Sequence, residues 1–219
     1  MRVRLTFSKT EAMRFTGHLD LQRTLERAIR RANLPLAYSE GFNRRGKLML
    51  ADALPLGFTS EGELADLWLD EAREIGAIRE ALERASPPGI QLHSVEEIEM
   101  EAAKLPNSLR RAEYVVTLLE ECGDLDQRVG RLLAAETLPR KKRRKRKIKT
   151  YDLRPLIHVV KVMERDQENR QRLFMQLNAQ EGATGRPDEV LNEIGIEPEG
   201  GRFHRVGLLL EGELREAVK

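Results

Sequence analysis

The chain carries one cysteine, Cys122, and one tryptophan, and aromatic residues make up only 5% of its 219 residues. A single cysteine closes no internal disulfide and falls short of the three thiolates that an iron–sulfur cluster usually takes. This implies a reducing compartment. Long apolar runs are also missing. Stretches such as Val206–Leu210 are far shorter than the ~20 residues that span a bilayer. The N-terminal MRVRLTFSK alternates charged and apolar residues and has no signal-peptide core. A cytoplasmic protein without membrane contact is the expectation. The histidines His18, His93, His158 and His204 are scattered, with no HExxH or Cys/His spacing, so no metal is expected.

Charge, by contrast, is abundant: 34% of residues are charged and 40% are hydrophobic, which describes a core-forming chain with a heavily charged surface. The formal net charge is only +2, but it is unevenly spread. Arg140, Lys141, Lys142, Arg143, Arg144, Lys145, Arg146, Lys147 and Lys149 fall within one ten-residue segment, and outside it acidic residues outnumber basic ones. So dense a run of cations repels itself unless an anionic surface relieves it. Neutralising RNA phosphates is the natural use, with Tyr151 near enough to stack on a base. A solvated arm without a ligand, or one that meets an acidic protein groove, is the competing reading.

Periodicity predicts an α+β protein. Val3, Leu5 and Phe7 alternate as a half-buried strand, and Met13 with Phe15 predicts a second extended piece. Thr16 or Gly17 caps a helix with Asp20 in its first turn and Leu21, Leu25, Ala28, Ile29 and Ala32 inward. Arg23, Arg27, Arg30 and Arg31 fall on a solvent side, and Asn33 and Pro35 end the helix. Strands are expected at 36–39, 47–51, 63–69 and 90–98, with a helix over 71–85. After a connector at 101–110 the pattern repeats. A strand at 114–119 leads to a helix capped by Asp124, with Leu125, Val129, Leu132 and Leu133 inward. Strands follow at 152–162, 172–177 and 203–210, with a helix opened by Pro187 and closed by Gly195. Each half reads β-α-β-β-α-β, so tandem ferredoxin-like units with antiparallel sheets are expected, at 1–103 and 104–219.

The stretch from Thr16 to Lys47 gathers polar groups at element ends. His18 at a helix start could act as a general acid or base, although a structural histidine is the commoner case. The loop GFNRRGK, Gly41 to Lys47, resembles a phosphate-binding loop. It is no Walker A motif, because Leu48 stands where the Mg²⁺-binding hydroxyl belongs.

On RFTGHLDLQRTLERAIRRANLPLAYSEGFN, LPLGFTSEGELAD, KIKTYDLRPLI, GRPDEVLNEIG and RFHRVGLLLEG, the chain resembles the radical-SAM-linked protein family nearly end to end. SAM denotes S-adenosylmethionine. The resemblance marks His18, Asp20, Ser39, Gly41, Phe42, Asn43, Lys47, Ser60 and Glu61 as site candidates. After GFN the family usually runs Pro-His-Pro-Lys; here Lys47 survives and the histidine is replaced. The resemblance implies a radical SAM enzyme as partner. The chain lacks CxxxCxxC, so S-adenosylmethionine and an iron–sulfur cluster are expected only on that partner, with no cofactor here. The tandem plan also looks like that of CRISPR repeat-processing endoribonucleases. The expected role is a non-catalytic RNA-binding accessory module that presents substrate to the partner. The alternatives are metal-independent RNA cleavage using His18 and Lys47, and a protein-interaction module without RNA.

Overall fold

The computed structural model describes residues 1–144 and 147–213, with only the backbone described for 142–144 and 147–149. Lys145, Arg146 and residues 214–219 lie outside the described residues. The fold is mixed α/β, with five α-helices among the described residues and mostly antiparallel strand pairing. Two compact units divide the chain: residues 1–109 with the return of the chain from residue 210, and Arg110–Leu209.

In the first unit, β1 (Arg2–Lys9) buries Val3, Leu5 and Phe7, as its alternation predicts. The extended piece expected after it is instead a single 3₁₀ turn, Glu11–Met13. Met13 N–H donates to the Thr10 carbonyl at 3.0 Å, and this tight turn buries the Met13 side chain. Helix α1 (His18–Arg31) puts Leu21, Leu25, Ala28 and Ile29 into the core and leaves Arg23, Arg27, Arg30 and Arg31 on its outer side. It ends at Asn33, whose φ of 53° is left-handed. The amides of Asn33 and Leu34 donate back to the carbonyls of Arg30 and Ile29 at 3.0 and 3.3 Å. Those bonds make a Schellman stop, and Asn is the residue after Gly best suited to it. The strand expected at 36–39 is reduced to two isolated bridges, Leu36↔Leu69 and Tyr38↔Gly46.

Strands β2 (Leu48–Leu50) and β3 (Thr59–Trp68) follow, the latter starting earlier than its hydrophobic pattern suggests. Helix α2 (Ile75–Ala85) starts later than expected, because Glu74 is its cap. The Glu74 carboxylate accepts the Ala77 N–H at 2.8 Å, satisfying an amide that has no partner within the helix. After β4 (Ile90–Ile98) comes a one-turn helix, α3 (Leu105–Ser108), within the expected connector. The sheet order is β2–β3–β1–β4, every pair antiparallel, and the core lies between this sheet and the inward stripes of α1 and α2.

Gly89 makes the turn from α2 into β4 with a φ of 96°. A Cβ added there would lie 2.4 Å from Met13 Cγ and 3.1 Å from the Met13 amide nitrogen. Gly89→Ala is expected to cost about 1–3 kcal/mol through left-handed strain and this contact. Gly182→Ala, at a φ of 82° with open space around it, should cost less. Thermal unfolding of both variants checks this; equal losses would contradict the steric part.

In the second unit, β5 (Leu109–Leu118) buries Ala112, Tyr114, Val116 and Leu118. Helix α4 (Leu125–Ala134) buries Leu125, Val129 and Leu132. Two details of this helix differ from expectation. Leu133 is exposed. Asp124 occupies the cap position without capping, its carboxylate being held by Arg128 Nε at 2.7 Å. Next come β6 (Pro139–Arg144) and β7 (Lys147–Asp152), which among the described residues pair only with each other. The strand expected at 152–162 begins later, because a 3₁₀ turn at Arg154–Leu156 separates Asp152 from β8 (Ile157–Met163), which pairs with β9 (Arg172–Gln180). Asp166 builds their turn, its carboxylate accepting the amides of Glu168 and Arg170 at 3.0 and 2.9 Å. After β10 (Ala183–Thr184), α5 (Pro187–Glu193) begins on Pro187 and stops at left-handed Gly195, as expected. The last strand is β11 (Gly201–Leu210), beside β5. Leaving the hairpin and the two-residue β10 aside, the order β8–β9–β5–β11 repeats the first unit's order.

Candidate nucleic-acid interface

The basic segment folds into the β6–β7 hairpin. Its backbone register sets Lys142 opposite Lys149 and Arg144 opposite Lys147. Like charges facing across a ladder are destabilising, and a two-stranded ribbon is marginal by itself. The hairpin is secured at its base. Arg140 forms an ion pair with Glu193 at 2.6 Å and donates to the Glu189 carbonyl at 2.9 Å and to Asn192 at 3.2 Å. The Tyr151 hydroxyl donates to the Glu189 carboxylate. Burial, then the hydrogen bond to Glu189 and its charge, push this phenol well above its ordinary range. Asp152 accepts the amides of Leu138 and Arg154 at 2.7 and 3.0 Å, closing the base. Arg140 and Tyr151, expected to meet phosphate and base, are thus engaged with α5. Lys141 is exposed, and the side chains of the other seven cations lie outside the described residues.

The motif residues of the first unit lie on three pieces of chain: the start of α1, the 39–47 loop and the start of β3. His18 is its first residue, and its Nδ1 is buried with no hydrogen-bond partner among the described residues. Asp20 is exposed and pairs with Arg23 at 3.2 Å. Ser39 Oγ accepts the Arg45 amide at 3.0 Å, which closes the loop, with Gly41 at its left-handed bend (φ 109°). Phe42, Asn43 and Lys47 are exposed. The loop's Gly46 sits against Leu36 and near Glu26. Glu26 is eight residues along α1 from His18, or about 12 Å of helix. Among the described residues no hydrogen bond or ion pair joins His18 to the loop. Ser60 is buried at the start of β3, its hydroxyl accepting the Gly62 amide at 3.1 Å, and Glu61 beside it is exposed.

Two polar clusters carry little signal in the sequence. Asp66, 0% exposed, accepts from Arg2 at 2.6 and 3.1 Å and from Arg4 at 2.8 and 3.1 Å. Arg2, itself buried, also donates to the carbonyls of Ala102 and Ala103 and lies 5.0 Å from the centroid of the Trp68 ring. Its one sequence signal is an aspartate alternating with Leu64 and Trp68, matched by arginines alternating with Val3. In the second cluster, Ser8 Oγ and His93 Nε2 are 2.5 Å apart. Such a pair can activate a hydroxyl when a further group orients the imidazole. No such carboxylate is bonded to His93 among the described residues.

A third polar array crosses the second unit's sheet, on the face opposite its buried core. The rows run His158–Asn178–Arg111, Val159–Gln176–Glu113 and Lys161–Phe174–Val115. Arg111 donates to Gln176 at 2.7 Å, and Gln176 donates to Glu113 at 2.9 Å. Lys161 Nζ lies 5.1 Å from the centroid of the Phe174 ring. Desolvation, then the Arg111 charge, hold the His158 imidazole below its ordinary pKa, against a hydrogen bond with Asn178 that raises it. The folded chain therefore binds fewer protons there than the unfolded chain. Stability from this group is present above the unfolded pKa, ~6.5, and is lost as pH falls through the folded value. NMR titration should place the His158 midpoint below that of a model histidine. His158→Gln should flatten the stability–pH slope below pH ~6.5; an ordinary midpoint would refute both.

Among the described residues no group of three or more His, Cys, Asp or Glu side chains could hold a metal ion. None of their helices is long and apolar enough to cross a membrane.

No curated protein matches the chain. Among solved structures, it is similar to a Cbf5–Nop10–Gar1 complex, with 13% identity, a TM-score of 0.45, and coverage of 94% of this chain and 47% of that one. An archaeal box H/ACA sRNP Nop10–Cbf5 complex matches with 11% identity, a TM-score of 0.43, and coverage of 98% and 49%. An unknown protein from Galdieria sulphuraria matches with 12% identity, a TM-score of 0.27, and coverage of 88% and 86%. The chain spans about half the length of the first two, and similarity at these scores carries no argument. The family pattern described as "Uncharacterized protein conserved in bacteria (DUF2344)" matches residues 2–187, and the chain belongs to that family.

Proposed function

We propose that this chain is a non-catalytic RNA-binding accessory module that presents RNA to a radical SAM enzyme. The observation that carries the RNA part is the β6–β7 hairpin, a separate ribbon that holds the chain's densest run of cations and is tied at its base to α5. An anchored arm loses less conformational freedom on binding than a free tail, so more of its electrostatic gain appears as affinity. The enzyme partner rests on the resemblance in the 14–43, 54–66, 147–157, 185–195 and 202–212 segments. The matching strand orders of the two units support a tandem ferredoxin-like reading, with the hairpin as an insertion in the second. One cysteine in the chain supports a reducing, cytoplasmic setting.

Filter binding of a structured RNA over a salt series tests the RNA part. Affinity should fall steeply with salt and should be largely lost when the hairpin cations are replaced by glutamine. Affinity that ignores salt, or survives that replacement, defeats the mechanism. Co-purification with a radical SAM enzyme tests the partner. A complex that survives nuclease treatment supports direct contact, and one dissolved by nuclease supports bridging by RNA.

A further inference from the structure

We infer that the second unit's sheet face built around Phe174 is a stacking platform for a single-stranded segment of the bound RNA. The inference rests on the RNA reading and names a second site within it.

Phe174 lies on β9, paired on one side with β5 and on the other with β8, so its ring is presented from the middle of the ladder. Val116, on the opposite face, packs toward α5 through Gly201 and Leu191, while Phe174 and its row remain partly exposed. Beside the ring, Val115 is short, and Lys161 holds its ammonium over the aromatic face. A nucleobase that stacks there displaces the ammonium from the ring, and the flexible lysine then reaches the phosphate beside that base. Across the face Arg111, Lys161 and Arg172 stand against a single carboxylate, Glu113. The face is thus cationic on a chain whose residues outside the hairpin segment are acidic overall. Next to the ring, Gln176 is 6% exposed and fixed between Arg111 and Glu113, which gives the platform a rigid floor. His158 and Asn178, one row further, supply polar groups that can reach a base edge.

An ordinary sheet face is also polar, and that is the alternative to defeat. What separates the two is an aromatic on an internal strand with a cation over it. Base–aromatic stacking is tolerant of sequence and belongs to single strands, because duplexed bases keep their faces covered.

The test uses the full chain and a fluorescein-labelled mixed-sequence single-stranded RNA of about 12 nucleotides, followed by anisotropy. Phe174→Leu should weaken binding about tenfold with the salt slope unchanged, and Phe174→Tyr should keep it. Lys161→Gln should reduce the salt slope by about 0.7, as one phosphate contact is lost. Circular dichroism establishes that each variant is folded, and Lys161→Gln alone decides if Phe174→Leu is not. If RNA binding responds to hairpin neutralisation but not to Phe174→Leu or Lys161→Gln, the RNA reading stands and this site falls. If the unaltered chain binds no RNA, both fall.

Discussion

Asp66→Ala is expected to destabilise the chain by about 3–5 kcal/mol. Asp66 sits on β3 directly opposite Arg4 on β1, and it is fully shielded from water. Its two oxygens take four hydrogen bonds from Arg2 and Arg4. Without the carboxylate, Arg4, 17% exposed, retains some access to water, but Arg2, 1% exposed, does not. Arg2 would be left with carbonyl acceptors at Ala102 and Ala103, which bond it without balancing its charge. Typical domains are stable by only ~5–15 kcal/mol, so the loss would be a large share of the total. Urea unfolding should show a lower midpoint with an unchanged slope. The double variant Arg2→Met/Asp66→Leu should lose less than Asp66→Ala, since removing a buried pair outright is cheaper than orphaning one member. A loss below about 1 kcal/mol for Asp66→Ala would show that the charge finds water or another partner.

Replacing Lys141, Lys142, Arg143, Arg144, Lys145, Arg146, Lys147 and Lys149 with glutamine should lower RNA affinity by at least about 100-fold near 0.1 M salt. Each lost phosphate contact should flatten the plot of log affinity against log salt by ~0.7 for a single strand. Arg140 is left unchanged by design. Its guanidinium binds Glu193 and the Glu189 carbonyl, so replacing it would loosen the hairpin's base and mix anchoring with charge. Thermal stability should stay level or rise, because cations that face one another across the ladder are removed. Unchanged affinity and slope would assign the segment a role other than phosphate contact.

The strands and helices with a regular apolar rhythm are legible in the sequence alone. Alternation places Val3, Leu5 and Phe7, the Leu21–Leu25–Ala28–Ile29 stripe places α1, and Pro187 and Gly195 bound α5. The sequence misleads where local pattern competes with a turn or a cap. Met13 alternates with Phe15 yet belongs to a 3₁₀ turn, because the Thr10 carbonyl captures its amide. Asp124 has the right chemistry for a cap, but Arg128 competes for its carboxylate. The strand expected at 152–162 starts only at Ile157, because Arg154–Leu156 turn as a 3₁₀ helix in which the Leu156 amide donates to the Leu153 carbonyl.

The candidate sites divide in the same way. Composition alone locates the cationic segment, because charge density is a property of consecutive residues. It does not show that Arg140 and Tyr151 hold the segment to α5, since Glu189 and Glu193 lie far along the chain from them. Nor does it pair Arg2 with Asp66, or set Phe174 between Val115 and Lys161, since register joins residues far apart in the chain. Periodicity is decided over a few neighbouring residues, by local sterics and the direction of the core. Pairing depends on which distant backbones share a ladder, so the ion cluster, the anchored arm and the aromatic platform emerge only when the sheets close.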